Sequence, residues 1–227
     1  MWSFAAQTAG SAVVLPDGRC DIILRSQSND VIPIITGPAT RPYRVTFQRG
    51  DQWVGIRLRP EHGALLWQLK LQNAPDAVLR GQDAIAHMPG LSALKTPEVA
   101  AKRLSALLSW EQTSQVNPRL RQAVDVMHTS GGRLGINALA AHIGCSTRHL
   151  NRMFRGHIGL DAKTYAQIVQ FHRALKLITG GQLAMTAAAA ECGYADQAHM
   201  TRAFRRFGGF TPSTIPPDLS VPGLFQN

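Results

Sequence analysis

Two spacings of apolar residues divide this chain. Up to about residue 95, apolar positions come in short β-branched runs and alternations punctuated by Pro and Gly, the pattern of half-buried strands. "AVVLPDGRCDIILR" sets two apolar runs around Pro16-Asp17-Gly18, where Pro presets φ and Gly accepts φ > 0, so a turn is expected there. "VIPIITGPA" is a third run, closed by Gly37-Pro38. Tyr43, Val45 and Phe47 alternate, Arg49-Gly50-Asp51 turns, and Val54, Ile56 and Leu58 resume the alternation. A short helix is expected around "GALLWQLKL".

After that the spacing becomes helical. In "TPEVAAKRLSALLSW", Thr96 is a cap, Pro97 suits the first helical position and Glu98 suits the positive end. Val99, Leu104, Leu107 and Leu108 would form its apolar stripe. "TSQVN", residues 113–117, reads as a linker. Asn117-Pro118 opens another helix, with Leu120, Ala123, Val124 and Met127 inward and an end at Gly131-Gly132. The expected fold class is therefore α+β. A β-rich region over 1–112 precedes a helical region over 118–215, and residues 216–227 form a loosely ordered tail.

The helical region contains one unit twice. "GGRLGINALAAHIGCSTRHLNRMFRGHIG" and "GGQLAMTAAAAECGYADQAHMTRAFRRFGG" align through Gly131/Gly180, Leu134/Leu183, Ala140/Ala189 and Gly144/Gly193. After one extra residue near Asp196 they align again through Leu150/Met200, Arg152/Arg202, Phe154/Phe204 and Gly159/Gly209. Each copy reads as helix, Gly-containing turn, helix, the helix-turn-helix grammar, with Gly144 and Gly193 as the turn glycines. In the second helix of copy one, Leu150, Met153 and Phe154 share one face and Arg148, Asn151, Arg152 and Arg155 the other. Copy two puts Met200, Ala203 and Phe204 inside, with Gln197, Thr201, Arg202 and Arg205 outside. Between the copies, Asp161 caps a helix of about 17 residues that spans about 25 Å. Tyr165, Ile168, Leu175 and Ile178 are among its expected buried residues.

Charge then narrows the chemistry. The net charge is +10. From Pro118 onward there are twelve Lys/Arg against five Asp/Glu, and before it twelve against nine. The excess sits with the repeat and favours a polyanionic partner. An α-helix fits the B-DNA major groove, where Arg pairs with guanine and Asn or Gln with adenine. Arg148, Asn151 and Arg152, at i, i+3 and i+4, could reach adjacent bases together. A strut of this length would place two such helices in successive grooves about 34 Å apart.

These residues resemble the AraC/XylS-type transcription regulators over about 118–215. The resemblance is carried by "LAAHIGCSTRHLNRMFRGHIG", "FHRALKLI" and "AAECGYADQAHMTRAFRRFGGFTPS". It implies seven helices in two helix-turn-helix subdomains joined by a long helix. It places base-reading positions at Arg148, Asn151 and Arg152, and at Ala198, His199 and Arg202 with Gln197 adjacent. Arg155, Arg205 and Arg206 are the expected phosphate contacts. "MTAAAAEC" departs from the family in being nearly all Ala, which implies shallow packing, and Gly208 beside Gly209 softens a helix end. "LPDGRCDII" and "VGIRLRP" are similar to a short sensor-like domain fused to some of these regulators. Double-stranded DNA and RNA polymerase are the implied partners. The first region leaves room for a small-molecule effector or a homodimer contact.

Other functions fit the residues less well. No cofactor is expected: His62 and His87 are far apart for a metal cupin, and no P-loop, G-x-S-x-G or G-x-G-x-x-G occurs. Asp17 and Asp21 as a catalytic pair compete with a plain turn role. Repair-type methyl transfer would use Cys20 as acceptor on the same DNA-binding module, but "CDIIL" suggests burial. A non-specific nucleoid or RNA-binding protein would show exposed aromatics, whereas Phe154 and Phe204 lie on the inward faces. Cys20, Cys145 and Cys192 lack metal spacing and a disulfide framework. The N-terminus lacks a basic signal-peptide start, and no apolar run is long enough for a membrane span. The expected compartment is the cytoplasm, and the expected class is a non-enzymatic regulator.

Overall fold

The computed structural model describes residues 1–27, 30–66, 74–94, 116–181 and 183–216, with positions 99, 102, 106 and 219. The expected helix from Thr96 and most of the 113–117 linker lie outside the described residues. So does most of the tail.

The N-terminal region is antiparallel sheet. Its strands are β1 (Trp2–Ala5), β2 (Gly10–Val14), β3 (Asp21–Gln27), β4 (Asp30–Thr36), β5 (Tyr43–Phe47), β6 (Gln52–Arg57) and β7 (Val78–Arg80). Five of them order as β1-β6-β3-β4-β7, and β2 pairs with β5 in a second sheet. Both expected turns exist, but as corners between sheets rather than hairpins. The 15–20 segment joins β2 to β3, and Gln48–Asp51 joins β5 to β6, and in each case the flanking strands lie in different sheets. Side chains alternate across β3. Ile23 meets Ile34 and Trp53 under the β2–β5 pair, where Phe4 and Phe47 sit edge to face with centroids 5.2 Å apart. Ile22 and Leu24 face the other way, onto Ile35, Ile56 and Leu58 and the short helices α1 (Gly63–Leu66) and α2 (Gln82–His87). The sheet is thus covered on both faces, which explains why its strands read as nearly continuous apolar runs.

The C-terminal region is helical: α3 (Pro118–Thr129), α4 (Ile136–His142), α5 (Thr147–His157), α6 (Ala162–Thr179), α7 (Met185–Glu191) and α8 (Gln197–Gly208). Asn117 caps α3 by accepting from Arg119 N at 3.0 Å, with Pro118 at the first position. Leu120, Ala123, Val124 and Met127 point inward as expected. Asp161 caps α6, accepting from Thr164 N at 2.8 Å. The 18 residues of α6 make a rod of about 27 Å. Tyr165 and Ile168 are buried along it, while Leu175 and Ile178 are partly buried. Near its start Tyr165 packs edge-on to Phe154 of α5, and Phe171 packs on Phe204 of α8.

Six helices are described here, where the family resemblance implies seven. After α8 the chain turns on Thr214 Oγ1, which accepts from Thr211 N at 3.0 Å. Pro212 lies within that turn and Pro216 follows it, where a helix continuing from the turn would lose a backbone donor. Leu219 packs against the helical core, so this part of the expected loose tail is tied down.

The two regions share a core. Leu15, at the end of β2, is 3% exposed and belongs to the cluster of α3 to α8 rather than to the sheet. Pro16 O accepts from His172 Nε2 of α6 at 2.7 Å. Asp17 and Asp21 hold Arg57 at 3.2 and 3.1 Å. Gly18 has φ +71°, and a Cβ there would lie 2.6 Å from the Tyr165 ring. Only glycine satisfies both the handedness and the space.

Gly18→Ala should therefore destabilise the protein by about 1–3 kcal/mol, read as a lower urea midpoint of the full chain. An unchanged midpoint would show that the close approach is not needed. A second expectation concerns pH. Burial holds the His172 imidazole below its ordinary value of 6.5, with the Pro16 carbonyl partly offsetting it. His128 is lowered too, by burial first and then by Arg19. Both rings are neutral in the fold and take up protons more readily once it opens. Their stabilisation is therefore complete above about pH 6.5 and is lost as pH falls below it. Denaturation midpoints should drop from pH 7.5 toward pH 5.5, and His172→Gln should flatten that slope.

Candidate nucleic-acid interface

Both turns of the repeat close by the same geometry. Gly144 has φ +67° and Gly193 has φ +75°. In copy one, Gly144 N donates to Ala141 O and Cys145 N to Ala140 O. In copy two, Gly193 N donates to Ala190 O and Tyr194 N to Ala189 O. A left-handed glycine satisfies the last carbonyls of the first helix and redirects the chain. The second helix of each unit then starts on an acceptor side chain: Ser146 takes His149 N at 3.2 Å, and Asp196 takes His199 N. The extra residue of copy two falls before this second cap, so the recognition faces keep the same phase.

Helix α5 buries Leu150, Met153 and Phe154 and leaves Arg148, Arg152 and Arg155 exposed. Arg152 donates to His149 Nδ1 at 2.8 Å, which holds its guanidinium along the helix surface. Asn151 is only partly exposed, and its Oδ1 accepts from Ala162 N at 3.1 Å. It thus ties α5 to the first turn of α6 and leaves its amide NH2 for another partner. This role was not legible from helix phase, because its partner lies eleven residues on, across a tight loop.

Helix α8 buries Met200, Phe204 and Phe207 and exposes Gln197, Ala198, Arg202, Arg205 and Arg206. His199 is partly buried, edge-on to Tyr194 at 5.2 Å, and its Nδ1 lies 3.4 Å from Ala195 N. Arg206 stacks over Phe207 at 4.8 Å and donates to Gln167 of α6 at 3.2 Å. The second helix thus offers Gln197 and Arg202 as its least encumbered polar groups, with Ala198 as an apolar contact.

The two units are held in one frame by α6. Gln170, buried on that helix, donates from Nε2 to Cys192 O at 2.8 Å, beside the Gly193 turn. Arg173 of α6 pairs with Glu191, the last residue of α7. Neither role stands out in the sequence. The only hint was a polar Gln on an otherwise apolar face. Helix α7 buries only Ala188 and Ala189, the shallow packing its alanines imply.

A cleft of about 1030 Å³ opens beside α5. Arg148, Arg152, Arg155, Asp161, Thr164 and Arg206 line it. The remaining wall comes from the N-terminal region, through Thr40 and Pro75. Four guanidinium groups against one carboxylate make this a strongly positive recess.

The groups that other chemistries would need are placed differently. Cys20 is 1% exposed, with its sulfur 3.2 Å from where a Cβ on Gly63 would sit, so the thiol faces packing rather than solvent. Burial also pushes the Cys192 thiol upward. Asp17 and Asp21 both bind Arg57, and burial raises the Asp21 carboxyl. Among the described residues no group of three or more His, Cys, Asp or Glu could hold a metal ion. No described helix is long and apolar enough to cross a membrane.

Comparison with known proteins matches the two regions to different family models. Residues 139–215 match a family described as a helix-turn-helix domain, and residues 1–80 match a domain of unknown function. The HTH-type transcriptional regulator GlxA of Rhizobium meliloti is 30% identical over 100 residues, which cover 44% of this chain and 31% of that one. The HTH-type transcriptional activator RhaS of Escherichia fergusonii is 32% identical over 78 residues, 34% of this chain and 28% of that one. Among solved structures, a probable AraC family transcriptional regulator from Rhodopseudomonas palustris aligns at 28% identity and a TM-score of 0.39. That alignment covers 43% of this chain and 93% of that one. The aligned part is about 30% of the length of these curated relatives.

Asn151→Ala should remove the acceptor for the buried Ala162 N–H and cost about 1–3 kcal/mol of stability. Calorimetry of the full chain checks this. A variant that melts like the parent would make Asn151 dispensable to the α5–α6 corner.

Proposed function

We propose that this chain, whose helical half carries an AraC-type helix-turn-helix domain, is a sequence-specific DNA-binding transcription regulator. The observation that carries the reading is the repeated geometry: two glycine-turned units with exposed arginines on α5 and α8, fixed to one rod. Arg148 and Arg152, with the Asn151 amide, would read base edges in one major groove. Gln197, Ala198 and Arg202, with His199 held against Tyr194, would read a second groove about one helical turn away. Arg155, Arg205 and Arg206 would bind phosphates and make affinity fall steeply with salt.

The N-terminal region, roughly residues 1–112, would be the sensing or oligomerising part. Its wedge into the helical core gives a bound effector a route to the DNA-reading half. RNA polymerase is the partner through which bound protein would raise or block transcription. Such a protein works where the chromosome is, in the cytoplasm, and needs no catalytic centre. The buried Cys20 disfavours the repair-acceptor alternative, because methyl transfer needs an accessible thiolate.

Selection from a random duplex pool with the full chain, at near-physiological salt, tests this reading. The expected product is a site of about 15–20 base pairs with two unlike half-sites one turn apart. Pools that fail to enrich would leave only a non-specific polyanion surface. On an enriched site, Arg152→Ala should cost about 1–3 kcal/mol and relax preference at one position. Equal loss on random DNA would instead make Arg152 a phosphate contact.

A further inference from the structure

The wall that the N-terminal region contributes to the arginine cleft has no place in a helix-turn-helix reading, and it is built with some care. Two loops form it, one running from Gly37 to Pro42 and the other from Ala74 to Ala77. Gly37 N donates to Ala77 O at 2.9 Å, and Asp76 N donates to Pro38 O at 3.2 Å. A Cβ on Gly37 would collide with Ala74 O, so the loops touch backbone to backbone. Asp76 closes the clasp. Its carboxylate accepts from both Thr40 N and Thr40 Oγ1, each at 2.6 Å. Asp76 sits at φ +60°, the one non-glycine residue with positive φ among those described. Asp tolerates this left-handed region better than most residues, and the paired bonds to Thr40 hold the loop in one conformation.

The loop next to this clasp reaches both units. Thr40 and Pro75 line the same cleft as the arginines of α5. Pro42 lies 3.3 Å from where a Cβ on Gly209 would be, at the end of α8. Arg41, between Thr40 and Pro42, is exposed and has no carboxylate partner among the described residues. The loop flanks α5 without covering it: Arg148, Arg152 and Arg155 remain exposed with the loop in place. The nearby carboxylates are already engaged, Asp76 by Thr40 and Asp161 by Thr164.

We propose that the Thr40–Pro42 loop is a third DNA-contacting element, with Arg41 binding the sugar-phosphate backbone that borders the groove read by α5. The proposal rests on the DNA-reading role of α5 and α8. A rigid, cationic lip beside an open recess of four arginines suits a phosphodiester strand, which offers a row of anions and needs no base-specific partner. Because the clasp fixes the loop in advance, little ordering entropy is spent on contact. The N-terminal region thereby adds affinity and register at the DNA directly, as well as through the shared core.

The test titrates the full chain into a duplex of about 20 base pairs selected by the parent protein, over a series of salt concentrations. Arg41→Ala, Arg41→Lys and Arg152→Ala are compared with the parent. Arg41→Ala should bind roughly 3–10-fold more weakly on selected and scrambled duplexes alike, with the salt slope lowered by about 0.9. Arg41→Lys should keep the parental slope. Because Arg41 and Arg152 are both exposed, thermal melting of all three variants should match the parent, which separates a lost contact from a lost fold. Unchanged or tighter binding by Arg41→Ala, with Arg152→Ala still impaired, would overturn the proposal and leave the helix-turn-helix reading intact. A parent that binds no duplex in a salt-dependent way would sink both.

Discussion

Everything in the helical half depends on α6 burying successive turns against both helix-turn-helix units in one continuous core. Tyr165 closes the first unit against Phe154, and Phe171 closes the second against Phe204 and Phe207. Apart from the rod, the first unit has three short helices and the second only two, around a handful of apolar side chains, too little to be stable unaided. The rod solves two problems with one element: it joins the two units in one core and fixes the distance between them. The angular relation is fixed by polar contacts, chiefly Gln170 to Cys192 O and Arg173 to Glu191. A buried hydrogen bond is directional where apolar packing is not, so these pairs set how α8 is presented relative to α5.

The same rod receives the N-terminal region. Leu15 enters the core of the first unit, the Tyr165 ring fills the space a side chain at position 18 would need, and His172 binds the Pro16 carbonyl. These contacts fall on the face of α6 away from the phenylalanines of α8. A displacement of the 15–20 segment would therefore press on the frame that spaces the two recognition helices. A shift of that segment would thus reach α5 and α8 through α6. Such a coupling needs two arrangements of the frame with different affinity for DNA.

Much of this was legible in the sequence where a rule is local. The helix start at Asn117-Pro118, the Asp161 cap, the turn glycines Gly144 and Gly193, and the inward phenylalanines all follow from spacing and residue chemistry within a few positions. What was not legible depended on distant pairing. The turns at Pro16-Asp17-Gly18 and Arg49-Gly50-Asp51 look like hairpins because turn residues report direction reversal, not which strand becomes the partner. Helix phase puts Asn151 on the outer face but gives no hint that its oxygen is used by Ala162 N, eleven residues on. Thr40 and Pro75 gave no signal at all, since their importance comes from lining one cleft with the arginines of α5. The count of seven helices was carried over from a resemblance, and the prolines after α8 could have argued against it.

The placement of Leu15 has one more consequence. A side chain that belongs by sequence to the sheet and by packing to the helices makes the covalent boundary and the energetic boundary of the two halves differ. Cutting the chain between them would not yield two finished modules. The helical piece would carry an empty Leu15 socket against α6 and an uncovered Tyr165 ring, while the sheet piece would trail an apolar hook into water. Exchange of such halves between related proteins, by recombination or by design, would succeed only when the hook and its socket travel together.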